Sequence, residues 1–191
     1  QILRETRRPA SFAEYLDEAS SPLNPRNVGY PFFVYGTLPT TLVKAVALVL
    51  DKTGYGEVHL VGRALGAAFD LGTICFLFLL ARVLYRDDRI ALLAALLLSL
   101  AVLPIQLAHF FTVDSVATFF ITGALYALAR AQRRDRLVGW LACGLFFGLA
   151  VACKLSTVIF ALLPPLVAVY RAWLRSKTQA SRSALIRLGH P

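Results

Sequence analysis

Residues 90–113 read IALLAALLLSLAVLPIQLAHFFTV, twenty-four residues without an Asp, Glu, Lys or Arg, and the carboxylate of Asp114 follows directly. A helix needs about 20 consecutive apolar residues to cross the hydrocarbon core of a bilayer. The rest of the chain is similar: 58% of its 191 residues are hydrophobic, 16% are charged, and its mean hydropathy is +0.64. A soluble domain carries about 45–50% apolar and about 25% charged residues. The composition therefore predicts an all-α, polytopic transmembrane helix bundle.

Five membrane spans are predicted from the apolar runs and the polar residues that separate them. They lie at about 61–83, 90–108, 115–130, 137–153 and 155–171. Together they form a predicted transmembrane bundle over residues 61–173. Residues 1–60 form a loop segment outside the membrane with short interfacial helices, and residues 174–191 form a basic tail.

The net charge of +9 is concentrated at the ends of apolar runs, at positions 86–89, 130–136 and 171–187. Cytoplasmic loops of membrane proteins carry an excess of Lys and Arg. The charge pattern therefore predicts a cell-membrane protein with these segments in the cytoplasm, and it argues against a nucleic-acid partner. Residues 1–60 and Lys154 are then extracytoplasmic.

The chain contains no methionine, and residues 1–20 lack the apolar core of a signal peptide. A polar segment of this length reaches the outer face only behind an earlier transmembrane helix. We therefore expect the sequence to be a fragment that lacks its first span.

Asp114 and His109 are candidate catalytic residues in the HFFTVDS loop. A carboxylate that borders an apolar span must be paired, hydrated or functional. Asp114 is also a candidate N-cap for the helix 115–130, and the two roles are compatible. His109 is close enough in sequence to line the same cavity, although a lone interfacial histidine is more often structural.

Lys154, Arg63, Tyr35 and Thr37 are candidates for binding a lipid phosphate or a substrate on the outer face. An ammonium at headgroup depth binds phosphate as a point charge, whereas simple snorkelling is the alternative for Lys154. Tyr35 and Thr37 belong to the aromatic loop 30–39, YPFFVYGTLP, which is either an interfacial belt or a cover over a lipid-linked substrate.

The motifs SPLNP, VYGTLP, VGRALGAAFDLGT, LPIQLAHFFTVDS and GLAVACKLS, in this order, resemble the C-type integral membrane glycosyltransferases. The resemblance covers roughly residues 15–170 and is greatest to family 39, the protein O-mannosyltransferases and the related aminoarabinose transferases. It implies a polyprenyl phosphate-linked sugar as donor and chemistry in outer loops. It also implies that Asp114 is the acid of the second outer loop and that Lys154 is the lysine of a later outer-face motif.

The sequence departs from that family at its start, where an acidic pair follows the first span. Asp17 and Glu18 form the only adjacent acidic pair of the outer segment, so they are weaker catalytic candidates. No HExxH or CxxC motif indicates a metal, and the sequence leaves a divalent metal open. A fragment of a transporter or flippase and a non-catalytic membrane scaffold are the alternative functions.

Overall fold

The computed structural model describes residues 7, 9–30, 35–134 and 136–188 of the chain. Residues 31–34 of the aromatic loop and residues 189–191 of the basic tail lie outside the described residues. The helices are α1 (Phe12–Leu16), a 3-10 helix (Pro25–Val28), α2 (Leu38–Val49), α3 (Tyr55–Tyr85), α4 (Asp88–Ser99), α5 (Val102–Phe110), α6 (Val113–Arg134), α7 (Leu137–Cys153), a second 3-10 helix (Leu155–Leu162) and α8 (Leu163–Leu188). These residues include no strand, so the predicted all-α class is confirmed.

Helices α3, α6 and α7 pack together through aromatic rings. The ring of Phe76 on α3 lies 5.1 Å from Phe119, 5.9 Å from Tyr126 and 5.4 Å from Phe146, measured between centroids. Tilted and edge-to-face pairs of this kind contribute about 0.5–1.5 kcal/mol each beyond the area they bury. These contacts set α3 parallel to α6, with α7 running back along both.

The outer surface of the bundle is apolar. Large aliphatic side chains of the first unit that are more than half exposed include Leu92, Leu97, Leu103, Leu141 and Leu145. Lipid tails solvate such side chains as well as a protein core does, so this surface fits a bilayer and not water. Among the described residues, two helices, Gly56–Tyr85 and Leu155–Leu174, are long and apolar enough to span a membrane. The pair α4 and α5, bent by 53°, makes a third if it counts as one span. The predicted number of five spans stays a prediction.

The predicted span 90–108 is two helices and not one. Residues Leu100 and Ala101 separate α4 from α5. Pro104 explains the break, because a proline ring within a helix collides with the carbonyl group four residues earlier, here that of Leu100. Pro104 is instead accommodated in the first turn of α5, where an amide has no helical partner.

Other helices extend beyond the predicted apolar runs. Helix α3 begins at Tyr55, six residues before position 61, because Gly54 and Glu57 form a cap in which Glu57 Oε2 accepts from the Gly54 N–H at 3.2 Å. Helix α8 reaches Leu188, so it includes most of the predicted tail 174–191. An apolar run marks depth in a membrane, whereas caps and charged residues decide where a helix ends.

Two ends of the bundle are named here for their cations. The lysine end consists of the starts of α3 and α6 and the ends of α5 and α7, with Lys154. The arginine end consists of the ends of α3 and α6 and the starts of α4 and α7, with Arg82, Arg130 and Arg133. The chain divides into two compact units, residues 1–157 and 158–191, and both ends belong to the first. In the second unit, the rings of Tyr170 and Trp173 on α8 stack with centroids 6.0 Å apart.

Candidate functional site

An ion pair joins α6 to the end of α7 at the lysine end. Lys154 Nζ donates a hydrogen bond to Asp114 Oδ1 at 2.6 Å. Both side chains are partly buried, with 34% of Lys154 and 37% of Asp114 exposed. The hydrogen bond to Asp114 raises the pKa of Lys154, the nearby negative charge adds to this, and desolvation opposes it. Lys154 is therefore a cation at physiological pH.

Close packing fixes the two backbones that carry the pair. Val116, Ala117 and Cys153 are buried against one another, each at most 3% exposed. Cys153 is the last residue of α7, and Lys154 follows it in an extended conformation that turns the side chain out of the helix. Small residues at this contact allow α6 and α7 to approach closely.

Asp114 lies in the first turn of α6, which begins at Val113. The predicted N-cap role is therefore wrong, because the cap position precedes the first helical residue. The predicted start at residue 115 followed the apolar run, and the helix begins two residues earlier. A carboxylate in a first turn still interacts favourably with the positive end of the helix dipole.

The loop at Tyr35 covers the ion pair. Lys154 Nζ lies 5.9 Å from the centroid of the Tyr35 ring, within the range of a cation–π interaction. The Gly36 N–H donates to the carbonyl of Cys153 at 2.9 Å. A Cβ at position 36 would overlap the carbonyl group of Ala152, so only glycine permits this approach.

A groove of about 830 Å³ extends from this loop. Four predicted site residues line it, namely Asp17, Glu18, Tyr35 and Thr37. Asp17 Oδ2 accepts from Ser20 Oγ at 2.6 Å and Asp17 Oδ1 accepts from the Ala19 N–H at 3.1 Å, and these hydrogen bonds lower the pKa of Asp17. Asp17 is thus an ionised carboxylate at neutral pH.

Glu18 makes a looser contact in the same groove. Its Oε1 lies 3.8 Å from Arg26 Nη1, and both side chains are mostly exposed. An exposed pair at this distance holds neither side chain firmly. The acidic pair of the outer segment therefore combines one fixed carboxylate and one that is free to move.

His109 and Arg63 do not join the ion pair. His109 is exposed and lines a separate cavity of about 320 Å³ together with Asp70 and Ser115. Phe111 lies between His109 and Asp114 at a positive φ of 50° and turns the chain. A cavity shared by these two side chains stays a prediction. Arg63 is half-buried on α3 and has no ion pair within the described part of the chain.

Two residues of this region were missed by the sequence analysis. Gly36 allows the loop to approach α7. Its position between two predicted site residues, Tyr35 and Thr37, could have indicated this role in the sequence. Ser115 is 2% exposed, and its Oγ is buried without a hydrogen-bond partner among the described residues. Within the described ranges, no group of three or more His, Cys, Asp and Glu side chains is arranged to hold a metal ion.

An all-α bundle with an apolar outer surface and its charged groups gathered at two ends is an integral membrane protein. The chain belongs to the dolichyl-phosphate-mannose-protein mannosyltransferase family, whose sequence profile matches residues 53–188. This match includes both members of the ion pair. The predicted resemblance is thereby confirmed, and the chain is a member of a family of glycosyltransferases.

Curated relatives carry a more specific name. The chain is 36% identical to the undecaprenyl phosphate-alpha-4-amino-4-deoxy-L-arabinose arabinosyl transferase of Pseudomonas aeruginosa strain UCBPP-PA14. The matched region has 133 residues and covers 67% of the chain. The enzyme of the same name from Pseudomonas paraeruginosa strain PA7 matches to the same extent. The chain spans 24% of the length of each of these relatives. No solved structure matches the chain.

Proposed function

We propose that the chain forms the donor-phosphate part of a glycosyltransferase that moves a sugar from a polyprenyl-phosphate-linked donor to an acceptor at one membrane face. The observation that carries this is the Lys154–Asp114 pair, a cation and a carboxylate held together where an apolar bundle ends. The relatives' names, which include an undecaprenyl phosphate-linked sugar, support it. Family membership favours a transferase over the transporter and scaffold alternatives.

Lys154 binds the phosphate of the donor in this proposal. The ammonium lies at the end of α7, within reach of a phosphate whose lipid chain follows the apolar outer surface of the bundle. A fixed cation stabilises the negative charge that builds on the phosphate as the sugar leaves. Asp114 holds the ammonium in place before the donor arrives, because it fixes one of the three N–H bonds.

Asp114 has a second role as general base. Its Oδ1 accepts from Lys154, whereas its Oδ2 accepts no hydrogen bond from the described residues. The acceptor hydroxyl attacks the anomeric carbon, its proton passes to Oδ2, and the bond from that carbon to the phosphate oxygen breaks. The leaving group is the lipid phosphate, held by Lys154, and no nucleotide is consumed. The groove with Asp17, Glu18 and Thr37 is the approach for the acceptor.

The lysine end faces the extracytoplasmic side and the arginine end faces the cytoplasm. The excess of Lys and Arg at the arginine end supports this orientation. Single cysteines at Asp51 and Arg89, in a background with the three native cysteines replaced, test it with an impermeant thiol reagent on intact cells. Labelling at position 51 alone is expected, and labelling at position 89 alone would reverse the orientation.

The variant Asp114→Asn tests the chemistry in the complete product of the gene. A general base predicts that sugar transfer from a polyprenyl phosphate donor falls about 10²–10⁴-fold. The control is Asp51→Asn, which makes the same change at an exposed residue of the same end. With abundance and thermal stability matched, near-normal turnover of Asp114→Asn would remove Asp114 from catalysis.

A further inference from the structure

The arginine end contains a cavity that the proposed function does not use. Its volume is about 370 Å³, and it lies between α3 and α6. Its lining residues are Leu79, Arg82, Val83, Tyr126, Arg130 and Arg133. Three guanidinium groups from two helices therefore line one cavity with an aliphatic wall.

The described residues of this end provide one carboxylate partner for these three guanidinium groups. Arg82 Nε pairs with Asp88 Oδ1 at 2.7 Å, in a contact where both side chains are more than half exposed. Arg130 Nη1 donates to the hydroxyl of Tyr126 at 3.0 Å, and Arg133 Nη2 donates to the carbonyl of Leu84 at 3.3 Å. Each guanidinium has five N–H donors, so most of these donors remain available to a ligand.

Among the described residues of this end, the other acid is Asp87. Asp87 Oδ1 accepts from the Arg89 N–H at 2.7 Å and caps α4. Among the described side chains, the cavity thus carries three positive charges and borders one negative charge. A ligand that completes the balance is an anion with several acceptor oxygens, and arginine recognises phosphate through two parallel hydrogen bonds.

An apolar cavity adjoins the basic one. It has a volume of about 340 Å³, and Tyr126 and Arg130 line both cavities. Phe76 and Phe146 belong to its walls, and Arg136 lies at its margin. Apolar walls do not bind a free inorganic ion, whereas they can pack against the acyl chain of a lipid.

We propose that these two cavities bind an anionic phospholipid, with its phosphate on Arg82, Arg130 and Arg133 and one acyl chain against Phe76 and Phe146. Basic pockets between transmembrane helices are suited to anionic headgroups. The excess of Lys and Arg in cytoplasmic loops requires no particular arrangement, so on that ground alone the arginines would be spread over this end. Their convergence on one cavity, next to apolar walls, is what a binding site requires. This proposal needs the membrane location alone and is independent of the sugar transfer.

The experiment compares two double variants of the complete gene product in nanodiscs of equimolar phosphatidylglycerol and phosphatidylcholine. Arg130→Gln with Arg133→Gln removes two cavity arginines. Arg86→Gln with Arg89→Gln removes the same charge from the same end without touching the cavity. After transfer to a mild detergent, native mass spectrometry measures the phosphatidylglycerol retained by each protein.

The cavity variant is expected to retain about 5–10-fold less phosphatidylglycerol than the wild type, and the control variant to stay within about 2-fold. Arg130→Lys with Arg133→Lys keeps the charge and removes the paired donors, so it is expected to lose binding several-fold, and it serves if the Gln variant is unstable. Equal losses in the cavity and control variants, or no loss in either, would overturn the site. Displacement of the lipid by millimolar inorganic phosphate would show a site for the free ion and overturn the lipid.

Discussion

The two ends of the bundle hold their charges in different ways. At the lysine end, one ammonium is paired at 2.6 Å, lies near an aromatic ring and sits beside a loop that a glycine brings within hydrogen-bond distance of α7. At the arginine end, several guanidinium groups are exposed and share few partners. The lysine end fixes the position of one charge, whereas the arginine end collects many. In the function proposed above, a fixed position serves the chemistry of a reacting centre, and in the proposed lipid site the number of charges attracts an anionic headgroup.

The largest difference between the ends is expected in turnover. Lys154→Gln keeps much of the side chain and removes its charge, so sugar transfer by the complete gene product should fall about 10²–10³-fold. Arg89→Gln makes the matching change at the arginine end and should leave transfer within about 2-fold. Initial rates with saturating acceptor measure both variants. A comparable loss in the two would mean that the total charge, and not its position, determines the rate.

The second effect concerns two glycines in close contacts, one against the last turn of α7 and one in its first turn. A Cβ at Gly36 overlaps Ala152 at the lysine end, and a Cβ at Gly139 comes within 2.8 Å of the Ala131 backbone at the arginine end. Alanine at either position should lower the free energy of unfolding by about 1–3 kcal/mol. Thermal unfolding in detergent measures it, with Gly148→Ala as control because a Cβ there meets nothing within 4 Å. If Gly36→Ala matched the control, the loop would not be held against α7.

The third effect is a pH dependence confined to the lysine end. The pKa of Lys154 is raised by Asp114, so the pair stabilises the folded state fully below the ordinary lysine pKa of 10.5 and loses this contribution as pH rises through the higher folded value. The contribution is below about 1 kcal/mol because both groups are partly exposed. The difference in stability between wild type and Asp114→Asn should therefore be constant from pH 7 to about 10 and shrink above that. A difference that grew with pH would contradict the sign.

The smallest effect is expected from the exposed pair at the arginine end. Asp88→Asn removes the partner of Arg82, and the free energy of unfolding should change by about 0.5 kcal/mol or less, because 56% of Arg82 and 62% of Asp88 are exposed. Denaturant titration in detergent is the measurement. A loss above about 1.5 kcal/mol would make the two ends alike in how firmly they hold charge.

The sequence was sufficient for the fold class and for the two residues of the ion pair. Asp114 and Lys154 each border an apolar run, and an alternating path through the membrane puts both borders at the same end. The sequence was not sufficient for the limits of the helices. Pro104 would collide with the carbonyl of Leu100 in a continuous helix, and the hydrogen bond between Gly54 and Glu57 caps α3 six residues before the predicted start. Such local contacts extend or interrupt a helix without changing the apolar pattern.

His109 has neighbours that its place in the sequence does not indicate. It lines a cavity whose walls include Asp70 and Ile74 of α3, about 35–40 positions earlier in the chain. The groove beside Tyr35 was equally hidden, because its walls come from α1, the following loop and the end of α7. Contacts between residues far apart along the chain depend on packing, which hydropathy does not encode.

The hydrogen bond from Gly36 to Cys153 has a consequence for the order of assembly. Its two residues are about 117 positions apart, so the loop at Tyr35 has nothing to dock against until α7 has been synthesised. At about 5–20 residues per second, that delay is on the order of ten seconds. During this time Tyr35 and Gly36 are without their contacts to the end of α7, although α2 already packs against α3 through Val43, Ala47 and Val61. The cover over Lys154 is thus among the last parts of the first unit to form, and a chain that stops before α7 would leave the ribosome with Tyr35 and Gly36 undocked.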